Sequence, residues 1–277
     1  QELNPQTRIS HPEVGQIGPL LYLGYGPLVV EKVQGQGPRR YATVLKKNAA
    51  IQAGESANLS FAVPDEVATR IERALWLVNQ YGTIGGRSRN GWGSFSLEPV
   101  NGTAALAGAP ALRDWRQALG LDWPHALGED QRGPLIWRTA AFGDWRSLMR
   151  ELAVLKIGLR TQFTYTLKAA NGDRAIIRRG EEVGINHGRP QERHWISFPV
   201  TNHPVSAWGG NARLPNSLRF KVRPALDEPG KVVGVIFHVP CSPPPDFGPD
   251  PGAIKQVWQR VHAFLDAPAQ HLTRIPE

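Results

Sequence analysis

Apolar and polar residues change period several times along this chain, and each change predicts an element. Leu59, Phe61 and Val63 alternate with smaller residues, the period of a half-buried strand over 57–63, and residues 41–45 (YATVL) read the same way. Val67, Ile71, Leu75 and Val78 then recur at helical spacing, with Glu66, Arg70 and Arg73 elsewhere on the wheel. Asp65, after Pro64, is placed to cap this helix, which is expected to end near Tyr81-Gly82. A glycine-rich stretch follows to Gly93, and Phe95 and Leu97 then alternate as a strand. Upstream, residues 1–40 are rich in glycine and proline around one short apolar run, Leu20 to Leu23.

Residues 99–111 (PVNGTAALAGAPA) are small and poor in charge, the composition of a linker, and a domain boundary is placed there. Beyond it Leu135-Ile136-Trp137 reads as a strand. Asp144 caps a helix whose apolar face is Trp145, Leu148, Met149, Leu152 and Leu155. Residues 160–194 carry many charges and few core signals. Ile196, Phe198 and Val200, then Leu218, Phe220 and Val222, alternate as strands, and Val232 to Val239 makes a longer one. A last helix carries Ile254, Val257, Trp258, Val261 and Leu265.

Strand, helix, strand, strand, helix is the order of a ferredoxin-like β-α-β-β-α-β unit without a visible last strand. The first half has the order of the back part of the same unit. The expected fold class is therefore α+β, with two ferredoxin-like (RRM-like) domains: residues 1–98, incomplete at the front, and residues 112–277.

Composition narrows the partners. The 277 residues include 32 Lys+Arg against 24 Asp+Glu, a net charge of +8, which favours an anionic partner such as nucleic acid over a membrane surface. Arginine outnumbers lysine, and its planar fork suits phosphate and stacking on bases. No apolar run is long enough to span a membrane, and QELNPQTRISHPEVGQ has no signal-peptide core. One cysteine, Cys241, excludes an internal disulfide or zinc cluster, and the expected compartment is a reducing cytoplasm. It follows an apolar strand and precedes prolines, so it reads as buried.

The most specific text is YGTIGGRSRNGWGS, residues 81–94, between a helix and a strand. A dinucleotide fingerprint would follow a strand and open a helix, and a P-loop would end in Lys followed by Ser or Thr; neither fits, and no cofactor is expected. Gly85, Gly86, Gly91 and Gly93 permit positive φ and close approach of backbone N–H groups to an anion. Arg87 and Arg89, two apart, would point the same way toward neighbouring phosphates. Trp92 would either stack a base or fill the core below the loop. The alternative is that the loop packs across the sheet and its arginines pair with acids.

A helix, an IGGRSRNGWG loop and a strand resemble the repeat-associated mysterious protein (RAMP) superfamily of CRISPR proteins. Within it, PLLYLGYGP (19–27), IGGRSRNGWGS (84–94) and AWGGNARLPNSLRFKV (207–222) resemble the first-subunit family of the Cmr-type (type III-B) effector complex. The resemblance implies a non-catalytic subunit that caps one end of a helical RNA-guided antiviral complex. Its partners would be guide or target RNA and other RAMP subunits. Members open with a strand, a small-residue turn and a basic helix; residues 1–40 show no such pattern, and RNA contacts of that helix are not carried over.

Other basic positions extend the expected RNA surface. Arg178 and Arg179 belong to an arginine-rich stretch, 174–193, that reads as a mobile basic arm or a solvated loop. Arg213 precedes a strand on which Arg219, Lys221 and Arg223 share one face. His187, His194 and His203 match no zinc spacing. They leave open a metal-independent RAMP endoribonuclease, and a purely structural subunit is the third reading.

Overall fold

The computed structural model describes residues 8–33, 40–46, 51–100, 106–168, 174–178, 181–185, 188–200 and 203–276. The chain begins with a hairpin pairing Ile9–His11 and Gly15–Ile17. Pro19, whose missing N–H costs nothing in a first turn, opens α1 (Pro19–Gly24), which buries Leu23. β1 (Leu28–Val33) and β2 (Arg40–Leu45) form an antiparallel pair. α2 (Asp65–Tyr81) occupies the span its apolar spacing predicts. Its cap differs from expectation: Pro64 holds the N-cap position, and Asp65 and Glu66 stand in the first turn, facing the positive helix end.

In the second half a four-stranded sheet and two long helices form beside two smaller sheets. β3 (Ile136–Arg138) leads to α3 (Trp145–Thr161), where the Asp144 carboxylate accepts the Ser147 N–H at 2.9 Å. β4 (Leu218–Pro224) and β5 (Val232–His238) pair over their whole length. Asp250 caps α4 (Pro251–Leu265) through the Ala253 N–H at 3.0 Å, and β6 (Thr273–Arg274) closes the run. The sheet has the order β4-β5-β3-β6, antiparallel throughout.

β6 has two residues and no apolar period, so the hydrophobic pattern does not reveal it. It is held by charge. The Arg274 fork grips Asp130 at 2.6 and 2.8 Å, its Nε–H donates to Asp266 at 2.9 Å, and the Asp130 pKa is held down to about 2 by that grip.

α3 and α4 cover one face of the sheet. Leu148, Leu152 and Leu155 of α3 meet Ile254, Val257 and Val261 of α4 over Trp137, Ile236 and Phe220. Each such side chain contributes about 1.5–3 kcal/mol by leaving water. Ile9 and Leu23 join this same core, so residues 1–98 share their packing with residues 112–277. The other face carries Ile136, Val233, Val235 and Phe237, and Tyr81 at the end of α2 meets Phe237 edge-on at 5.0 Å. Gly108 lies against the Trp76 indole of α2, where an added Cβ would stand 3.0 Å from the ring.

Four expectations change. Residues 57–63 form no strand, and Leu59 and Phe61 are 63% and 52% exposed. Alternation makes a strand only where a neighbour supplies backbone partners and a surface to cover, and no described residue does so here. Phe95 and Leu97 extend the chain without a ladder; the Leu97 N–H goes to the Asn79 side chain at 2.8 Å. Ile196, Phe198 and Val200 are buried but carry only isolated bridges to Leu214 and His203, because a short helical turn and Pro199 interrupt pairing. Conversely, the charged stretch read as an arm contains a three-stranded sheet of Tyr165–Lys168, Arg174–Arg178 and Glu181–Ile185, with Ile177 buried.

Between sheet and helices lies a neutral polar relay. His262 Nε2 stands 3.0 Å from His238 Nδ1, and His238 Nε2 stands 3.1 Å from Ser217 Oγ. Trp258 stacks on His238 at 4.1 Å and Trp115 meets His262 edge-on. Burial first, then nearby Arg274, lowers His262 to about 3, although Asp130 opposes this; burial also holds His238 well below its ordinary value. The unfolded chain therefore binds more protons below pH 6.5, so stability is complete above that pH and declines as pH falls toward 3. Urea unfolding is expected to show a lower midpoint at pH 5 than at pH 7.5. His262→Gln, which cannot titrate, should reduce that difference; an unchanged difference would remove His262 as one of its sources.

Candidate nucleic-acid interface

The glycine loop grows from the end of α2, where the Gly82 N–H still bonds the Val78 carbonyl at 2.8 Å. A bridge between Thr83 and Ser94 closes it, and the Ile84 N–H donates to the Gly93 carbonyl at 3.0 Å. Gly93 has φ +65°, and a Cβ there would lie 1.7 Å from the Ile84 carbonyl oxygen. Only glycine fits. Gly85 also has positive φ, +83°, but faces open space, while Gly86 rests on the Pro27 ring. Gly91, φ +85°, lies over Leu152, Met149 and Val222 of the core.

Arg87 is itself left-handed, φ +60°, and its Nε–H donates to the Tyr25 carbonyl across the loop. Arg89 is exposed, while its carbonyl accepts the Phe220 N–H of β4 at 3.1 Å. Between them the buried Asn90 does most of the fastening. Its N–H reaches the Arg87 carbonyl at 2.9 Å, its Nδ2 donates to the Leu23 carbonyl at 2.7 Å, and its Oδ1 accepts Lys156 Nζ at 2.5 Å. Ser94 adds a second link, accepting the Val222 N–H and donating to the Gly91 carbonyl, each at 2.9 Å. Asn90, Ser94 and Lys156 were not singled out from sequence; the Asn-Gly pair inside a glycine loop was the available signal.

Trp92 resolves toward packing. It is half-buried, packs against the core beneath the loop and meets Trp145 edge-to-face at 5.3 Å. The loop thus has two sides. Asn90 to Trp92 and Ser94 are built into the protein, while Gly85, Gly86, Arg87 and Arg89 form an exposed rim.

The strand residues divide similarly. Arg219, Lys221 and Arg223 do share one face of β4, but the end of α2 lies on that face. Lys221 is 0% exposed; its ammonium donates to the Val78 and Asn79 carbonyls and lies 5.0 Å over the Phe95 ring. It supplies a donor to the Asn79 carbonyl at the helix C-terminus and shares the Val78 carbonyl with the Gly82 N–H, and so is withdrawn from the phosphate surface. Burial, then Arg223, lowers its pKa to about 8. Arg223 is half-buried beside it. Arg219 is brought against Arg89: burial first, then the Arg89 charge, lowers its pKa, and its Nε is buried without a partner.

Arg213 wraps onto its own turn through the Gly210 and Ala212 carbonyls at 3.2 and 2.7 Å. Arg178 lies on its strand, and Arg179 and His187 lie outside the described residues. His194 is fully buried: Nδ1 accepts the Gln191 N–H at 2.8 Å, which leaves Nε2 to donate to the His203 carbonyl at 3.1 Å. Burial lowers it to about 4. His203 faces Glu13 at 3.3 Å, and Glu13 also pairs with Arg193. These rings act as internal braces. Among the described residues no group of three His, Cys, Asp or Glu could hold a metal ion, and no helix is long and apolar enough to cross a membrane.

No family model, curated protein or solved structure matches the chain.

The two sides of the loop predict contrasting variants in denaturant unfolding. Gly93→Ala should lose about 3 kcal/mol or more, since steric overlap adds to left-handed strain. Gly85→Ala should lose only about 1–2 kcal/mol, the strain alone. Lys221→Met should also destabilise, by about 1–3 kcal/mol, through the Asn79 carbonyl it orphans. Equal losses at Gly93 and Gly85 would contradict the closed loop.

Proposed function

We propose that this protein is a non-enzymatic, RNA-contacting subunit of a cytoplasmic type III-B-like CRISPR effector, with guide or target RNA and other RAMP subunits as partners. The observation that carries this reading is the meeting of Arg89 and Arg219 at the rim of the glycine loop. Neither has a carboxylate partner among the described residues, and the second is desolvated by burial. Two like charges held together without an acid raise each other's energy, and a polyanion relieves them both. Gly85, which faces open space, leaves the backbone of the rim accessible to a phosphate.

The fold supports the same reading. Apart from the separate three-stranded sheet at 165–185, the strands and helices of residues 136–274 follow the order β-α-β-β-α-β, with the last strand beside the first and the third between first and second. That is the strand arrangement of a ferredoxin-like unit. The first half, a hairpin followed by α2 and the glycine loop, is read as the back part of a second unit. For the endoribonuclease alternative, His194 has both ring nitrogens hydrogen-bonded, and His203 is buried against Glu13 away from the surface that an RNA strand would reach.

Binding of single-stranded RNA, measured against salt, tests the reading. The wild-type protein should bind many sequences with similar affinity, because phosphate contacts carry no base information. The double change Arg89→Ala and Arg219→Ala should weaken binding uniformly and flatten the log-affinity against log-salt slope by about 1.4, roughly 0.7 for each lost phosphate. A wild-type protein without salt-dependent RNA binding, or a double variant with an unaltered slope, would sink the proposal.

A further inference from the structure

Below the rim, α3 turns two cations toward the same loop. Lys156 and Arg160 are one helical turn apart, so their side chains share a face. Residue Lys156 keeps some accessible surface, but its ammonium is enclosed: it donates to Asn90 Oδ1 at 2.5 Å and lies 5.9 Å over the Tyr22 ring. Burial, then Arg160 and Arg87, pushes its pKa well below the ordinary lysine value, and Arg160 likewise lowers Arg87 after burial does. Three cations from two elements therefore converge on one place.

Nothing in the described protein neutralises them. No carboxylate pairs with Lys156, Arg160 or Arg87 among the described residues. Glu13 reaches the same region, since it and Arg160 both act on His11, but it is committed to Arg193 and His203. Donors are left over as well. The ammonium has three and uses one on Asn90; Arg160 Nε and the Tyr22 hydroxyl are buried with no partner. A lysine serving only as a strut for the loop needs neither Arg160 and Arg87 beside it nor the idle donors. Clustered cations without an anion, with the Lys156 ammonium and the Arg160 Nε enclosed, mark a site built for one.

We propose that Lys156, Arg160 and Arg87, with the Tyr22 hydroxyl, form a seat for a single phosphate group under the glycine loop. Several converging cations call for more than one negative charge, which a phosphomonoester carries near neutral pH and a carboxylate does not. The chemistry fits inorganic phosphate or the terminal phosphate of an RNA strand. The second source rests on the RNA-contacting reading, while the seat itself does not.

The test uses the intact protein and its melting temperature in rising inorganic phosphate, against chloride at equal ionic strength. The wild type should be stabilised in a saturable way. Lys156→Gln keeps a donor for Asn90 without the charge, and Arg160→Gln removes the second cation; each should raise the half-saturating phosphate at least tenfold while leaving near-UV circular dichroism unchanged. No phosphate-specific stabilisation of the wild type, an undiminished response in both variants, or an equal response to acetate would overturn the seat. Two RNAs of one sequence, ending in phosphate or in hydroxyl, separate the sources. A tenfold preference for the phosphorylated end that Lys156→Gln abolishes supports the seat with the RNA terminus as its occupant. Saturable phosphate binding without that preference supports the seat with free phosphate. If neither RNA binds, the functional reading fails and the seat stands on the phosphate response. If RNA binds through Arg89 and Arg219 but phosphate gives no response, the seat fails and the functional reading stands.

Discussion

The Asn90 carboxamide, enclosed between α1, α3 and the glycine loop, joins stretches of chain that are far apart in sequence. It holds the Leu23 carbonyl at one end and Lys156 at the other, and its own backbone turns the loop at Arg87. The next links depend on it. With Asn90 in place, the Arg89 carbonyl meets Phe220, Ser94 meets Val222, and the loop runs alongside β4. Each of these bonds is modest, but a buried donor or acceptor left without its partner costs about 1–3 kcal/mol. The loop is thereby as well determined as the sheet it borders, and Arg89 is presented from a firm base.

That fastening also explains the distribution of charge. Of the cations that contact carbonyls at close quarters, Lys221 on the end of α2 holds the second half against the first, and Arg87 on Tyr25 closes the loop within the first half. Those that face one another without an acid, Arg89 with Arg219 and Lys156 with Arg160, lie along the loop instead. A protein optimised for stability alone would place carboxylates there, as it does elsewhere by giving Arg274 both Asp130 and Asp266. Local electrostatic conflict amid otherwise consistent packing is the mark of a site kept for a ligand.

Buried histidines serve a different end. His238 and His262 share hydrogen bonds between the sheet and α4, and His194 braces the turn that leads to His203. Their rings are neutral because the apolar surroundings that hold them disfavour charge. Histidines this well satisfied contribute cohesion, and the electrostatics of the exposed rim are left to arginine.

Much of the architecture was legible from residues alone. The helical spacing of Val67 to Val78, Leu148 to Leu155 and Ile254 to Leu265 determined three helices, and Asp144 and Asp250 stand where their N-caps belong. Gly93 and the other glycines marked a loop of unusual backbone. These are local properties, set by period, capping and φ. Only the tertiary structure decided which face of β4 is covered, and so that Lys221 is a helix cap and Arg219 a neighbour of Arg89. It also decided that residues 57–63 pair with no strand among the described residues, that β6 is held by ion pairs, and that Lys156 reaches Asn90 across 66 positions. The reason is the same in each case. Alternation states which side chains share a face, but what lies against that face is supplied by residues distant in sequence, through contacts that carry no local period.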